Sequence, residues 1–100
     1  PEGFDTAEDE YQFFYETEAP YCFECPDGEV RAVTAFNYYW EALNIIRKHF
    51  SITDMQIAKE AWELNEIAYL TEEEAVKEFR TSIMYQIEDY MEEYRNSKKK

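Results

Sequence analysis

The sequence predicts an α+β fold: an N-terminal two- or three-stranded antiparallel β-meander followed by three antiparallel-packed α-helices. Three observations carry that expectation. The string Pro26-Asp27-Gly28 separates two runs that suit strands, with proline presetting a turn and glycine free to take a left-handed position. After Thr34 the hydrophobic period changes from two to about 3.6. Two capping boxes, Thr53 with Gln56 and Thr71 with Glu74, then mark helix starts.

Residues 1–10 are acidic and aperiodic and read as a flexible arm, and residues 11–97 as a single α+β domain. The run Tyr-Gln-Phe-Phe-Tyr-Glu predicts a strand over 11–16 that Pro20 closes. Strands over 21–25 and 29–34 flank the turn. With Cys25 opposite Glu29, Tyr21, Phe23 and Val33 share one sheet face, and Cys22, Val30 and Ala32 the other. Thr34 is the candidate N-cap of a helix over 35–49, whose stripe is Phe36, Trp40, Leu43, Ile46 and Phe50, widened by Tyr39. A second helix over 54–69 follows Ser51/Asp54 and Thr53/Gln56. Its stripe is Ile57, Ala61, Leu64 and Ala68, with Trp62 and Tyr69 beside it. The third, over 72–96, presents Val76, Phe79, Ile83, Ile87, Tyr90 and Tyr94, and residues 98–100 form a basic tail.

Charge is the most uneven property of the chain. Residues 1–29 hold ten carboxylates and no lysine or arginine, hence −10; the remaining thirteen acids meet all ten bases, hence −3. Affinity for phosphate comes from Lys and Arg displacing counterions, so this balance argues against direct binding to nucleic acid or to an anionic membrane. A basic protein surface is the natural complement. Aromatic residues make up 18% of the chain, enough that rings must serve both core and surface. The apolar runs are too short to span a bilayer, and the first residues lack the basic-apolar-small pattern of a signal peptide. A cytoplasmic chain with reduced cysteines is expected, and Pro1 fits removal of an initiator methionine.

Little in the sequence points to chemistry. Cys22-Phe-Glu-Cys25 before a Pro/Gly turn is half a zinc site, since only His49 remains as a further soft or borderline donor; carboxylates or a second chain would have to complete it. A redox pair needs cations or a helix N-terminus to lower a thiol pKa, whereas these cysteines neighbour Glu24, Asp27 and Glu29. On a strand, residues three apart point to opposite faces, which keeps the sulfurs apart. His49 sits with Arg47 and Lys48 at a helix C-terminus, where cations complement the dipole. No nucleotide, phosphate-loop or calcium-loop pattern is present. A DNA-reading helix that opened with Thr71-Glu-Glu-Glu74 would direct carboxylates at phosphates. The like-charge pairs Glu88/Glu92 and Asp89/Glu93 read as a solvated helix face.

The expected function is therefore non-enzymatic, without cofactor or metal. An inhibitor or decoy would mask the basic nucleic-acid-binding surface of a target protein through Asp5, Glu8, Asp9, Glu10, Glu16, Glu18, Glu24, Asp27 and Glu29, with Tyr11, Tyr15, Tyr21 and Phe23 as anchoring rings. In composition the chain is similar to the small phage and mobile-element inhibitors of restriction, CRISPR or repair proteins that mimic DNA. Three alternatives stand beside it. A helical adaptor or complex subunit would bind through aromatic faces, with acidity only for solubility. A homodimer would use surplus rings such as Tyr38, Tyr39 and Trp62. A structural module would be held by metal at Cys22 and Cys25.

Overall fold

The structure, a computed structural model, describes residues 17–98. The expected arm over 1–10 and strand over 11–16 lie outside them. A two-stranded antiparallel hairpin, β1 (Glu18–Glu24) and β2 (Val30–Phe36), leads into α1 (Asn37–Phe50), α2 (Asp54–Leu64), a 3₁₀ turn (Ile67–Tyr69) and α3 (Glu72–Lys98).

The hairpin has the expected register. Cys25 N–H donates to Glu29 O at 2.8 Å and Gly28 N–H to Cys25 O at 2.9 Å, with Gly28 at φ 91° in the left-handed region that closes a three-residue loop. Tyr21 pairs with Val33 and Phe23 with Arg31. Phe23, Arg31, Val33 and Ala35 are buried, while Glu18, Pro20, Cys22, Glu24, Val30, Ala32, Thr34 and Phe36 are exposed, so one face meets the helices and the other does not. Pro20 does not end a strand; it lies within β1, opposite Thr34. The bonds of Cys25 with Glu29 and of Asn37 with Thr17 place the hydrogen-bonded pairs at odd positions of β1. An amide at position 20 would point away from β2, so proline removes no ladder bond.

Thr34 does not cap α1. Strand pairing continues to Phe36, which takes the N-cap position with extended backbone and no side-chain cap. Phe36 therefore leaves the helical stripe for the outer sheet face, and Trp40, Leu43 and Ile46 form the buried line of α1. The Thr53–Gln56 capping box forms in full, with Gln56 N–H donating to Thr53 Oγ1 at 3.2 Å and Thr53 N–H to Gln56 Oε1 at 2.8 Å. Thr71 and Glu74 make the same exchange at the start of α3.

The second helix is shorter than its periodicity predicts. It ends at Leu64, Glu66 adopts φ 49°, and the chain turns before α3, so Leu64, Ala68 and Tyr69 leave the stripe and are exposed. Ile57, Ala58, Ala61 and Trp62 are buried instead. The stripe of α3 is rotated in the same way: Ala75, Phe79, Ser82, Ile83, Ile87 and Met91 are buried, and Val76 is 44% exposed. At the centre, Phe79 meets Phe23 edge-on at 5.9 Å and Trp62 at 6.0 Å, joining sheet, α2 and α3 in one apolar cluster. Trp40 donates its indole N–H to Ala19 O at 2.8 Å, and no buried side-chain N or O among the described residues lacks a partner.

Mutation at Val76 in α3 and Leu64 in α2, set against Phe79, separates the observed stripes from the expected ones. Phe79→Ala should lower the unfolding free energy by about 3–5 kcal/mol through cavity formation. Val76→Ala and Leu64→Ala should each stay within about 0.5 kcal/mol. Urea denaturation followed by circular dichroism measures all three.

Candidate partner-binding surface

The residues that the sequence nominates for binding divide sharply. Asp5, Glu8, Asp9, Glu10, Tyr11, Tyr15 and Glu16 lie outside the described residues. Of the rest, Phe23 is 1% exposed and packs on Phe79 and Trp40, so it is a core residue and not a surface anchor. Its strand position puts it on the face that the helices cover. Tyr21 is half-buried, stacks on Trp40 at 5.0 Å, and donates its hydroxyl to Asp54 Oδ2 at 2.8 Å while accepting from Arg47 Nη1 at 2.8 Å. Burial, with the Asp54 carboxylate second, raises its pKa. Arg47 also donates to Asp54 and to Asn44, which locks β1 to the α1–α2 junction.

Asp27 is likewise committed within the fold. Its two oxygens accept from Arg31 Nη1 and Nη2 at 3.0 and 2.9 Å, and Glu72 accepts from Nε and Nη2 of the same guanidinium at 3.1 and 2.8 Å. The Trp62 ring lies 5.0 Å from the guanidinium carbon. Arg31 is 8% exposed, the chain's first cation and placed at an inward register position. Those two facts were readable in the sequence and mark a charge that must be paired. Hydrogen bonds from Arg31 hold the Asp27 and Glu72 carboxyls below their usual values. The cluster lines a cavity of about 340 Å³ with Pro26, Ile67 and Leu70, but each of its charged groups, one guanidinium and two carboxylates, is already hydrogen-bonded within the fold.

Three nominated carboxylates remain exposed and without an ion-pair partner among the described residues: Glu18, Glu24 and Glu29. Glu29 stands at the turn. Glu18 and Glu24 close the two ends of the outer sheet face, about 20 Å apart at the usual strand rise. Opposite them across the hairpin stand Phe36 and Val30, 43% and 64% exposed. Between the ends lie the pairs Pro20–Thr34 and Cys22–Ala32. The result is an open face with small residues in its middle and a carboxylate beside a hydrophobe at each end. Neither Val30 nor Phe36 was nominated as an anchor. Strand alternation continued through Phe36 identifies both.

Cys22 is exposed on this face and Cys25 is buried on the other, where burial raises the thiol pKa and Arg31 opposes the rise. Among the described residues no group of three or more His, Cys, Asp and Glu is arranged to hold a metal ion, and no helix is long and apolar enough to cross a membrane. His49 is exposed on α1, its ring edge-on to Phe50 at 4.7 Å and to Tyr94 at 4.9 Å.

No family model, curated protein or solved structure matches this chain.

Two further carboxylates hold phenols between helices. Tyr39 donates to Glu88 at 2.6 Å and Tyr90 to Glu60 at 2.9 Å, and burial followed by the neighbouring carboxylate pushes each phenol up to about 12. In an ultraviolet titration these two tyrosines should ionise near pH 12, and Tyr39→Phe and Tyr90→Phe should each remove one phenol from that step. The opposite pH limit tests the Arg31 cluster. The lowered carboxyl values of Asp27 and Glu72 contribute stability that is complete above their unfolded values, 3.8 and 4.5, and is lost as pH falls through the folded ones. The urea midpoint should therefore drop on acidification below about pH 5. It should drop less in Asp27→Asn/Glu72→Gln, which is already weakened at neutral pH.

Proposed function

We propose that this chain is a non-enzymatic acidic binding protein that masks a basic, nucleic-acid-binding surface of a target protein, in the manner of DNA-mimic inhibitors. The observation that carries the reading is the outer hairpin face. Its carboxylates are unpaired among the described residues, and two exposed hydrophobes accompany them. Fixed carboxylates compete with phosphate for lysines and arginines and speed encounter. Val30 and Phe36 supply the desolvated contacts that salt does not screen, a role assigned from sequence to Tyr11, Tyr15, Tyr21 and Phe23. Of the ten acids of residues 1–29, six precede β1 in the sequence and two follow it, so the same sign of charge continues along the chain on either side of β1.

The test is competition. A target captured on the immobilised chain should elute with DNA or RNA and with rising salt. Glu18→Lys/Glu24→Lys/Glu29→Lys should weaken capture at least ten-fold while leaving the circular dichroism spectrum unchanged, because these side chains make no ion pair within the described fold. Val30→Ser/Phe36→Ser should weaken it further at high salt. Capture that polyanions never displace, or that survives the charge reversal, defeats the proposal in favour of an adaptor that binds through its helices.

A further inference from the structure

A second acidic surface lies between α1 and α3, and it has a shape that the hairpin face lacks. Between α1 and α3 an open cavity of about 410 Å³ is lined by Tyr38, Glu88, Asp89, Glu92 and Arg95. The Tyr38 and Tyr39 rings meet edge-on at its margin, 5.3 Å apart and inclined at 77°. Tyr39 is fixed there by its 2.6 Å bond to Glu88. Asp89 and Glu92 project from successive turns of α3 and have no hydrogen-bond or ion-pair partner among the described residues.

The cavity already receives one cation from the chain itself. Arg95 Nη2 donates to the Tyr38 hydroxyl at 2.9 Å, yet its guanidinium makes no ion pair with Glu88, Asp89 or Glu92. A phenol that accepts from a guanidinium, beside two unneutralised carboxylates, is a site of surplus negative charge held by a single neutral contact. The acidic first turn of α3 is different: Glu72 is paired with Arg31, no ring accompanies Glu73 and Glu74, and the helix dipole accounts for their charge.

We propose that this cavity receives an arginine side chain of a partner protein, which displaces Arg95, lies against the Tyr38 ring and is neutralised by Asp89 and Glu92. A guanidinium fits better than an ammonium because it is planar and weakly hydrated, stacks on a ring face, and presents a fork of donors to carboxylates. The site is separate from the hairpin and stands whether or not that face binds a target. Engagement of both would make binding bivalent.

The full chain titrated with N-acetyl-arginine methylamide and followed by NMR tests the assignment. Saturable shifts are expected at Tyr38, Asp89 and Glu92, with none from the uncharged, near-isosteric citrulline analogue. Asp89→Asn/Glu92→Gln should weaken the response about ten-fold, and Arg95→Gln should strengthen it by removing the resident competitor. Circular dichroism confirms that each variant is folded. A citrulline or lysine analogue that binds equally, an undiminished response in Asp89→Asn/Glu92→Gln, or the absence of a saturable shift overturns the proposal. The hairpin triple charge reversal should leave this titration unchanged, so failure here and failure of the hairpin reading are distinguishable.

Discussion

The Arg31 guanidinium is the interaction around which the other elements are arranged. A charge on the inward side of a strand is tolerable only if its donors are satisfied. Here the hairpin turn supplies Asp27, the first turn of α3 supplies Glu72, and α2 supplies the Trp62 ring. The adjoining turn and two segments distant in sequence thus converge on one group. The bidentate geometry toward both carboxylates fixes the hairpin tip relative to the α3 N-terminus, and the apolar cluster of Phe23, Trp62 and Phe79 packs directly beneath.

That arrangement also explains why so many acids and tyrosines coexist. Tyr21 with Asp54, Tyr39 with Glu88 and Tyr90 with Glu60 are phenol–carboxylate bonds between different elements, each placing an apolar ring inside and a charged acceptor at the rim. Acids that from composition look available to a partner divide into those that hold the fold and those that do not. Asp27, Asp54, Glu60, Glu72 and Glu88 belong to the first group. Glu18, Glu24, Glu29, Asp89 and Glu92 belong to the second, and both binding proposals rest on them.

Hairpin register was legible because a turn signal and a two-residue alternation are local properties. The Thr53–Gln56 and Thr71–Glu74 caps were legible for the same reason, since each satisfies backbone groups within one helical turn. The phase of the helical stripes was less so. Val76 and Ala75 are neighbouring apolar candidates, and only packing between helices decides which of them is covered. The candidate site followed suit: the acidic hairpin was visible, whereas the burial of Phe23 and the pairing of Asp27 were not.

The sequence by itself determined the order of elements, the turn, the starts of α2 and α3 and the concentration of negative charge in residues 1–29, all of which depend on residues close in the chain. Tertiary structure decided which charges are free. Arg31 meets Glu72 across 41 residues and Tyr39 meets Glu88 across 49, and no local pattern encodes such partners. A carboxylate is available to a target only when folding has left it without one.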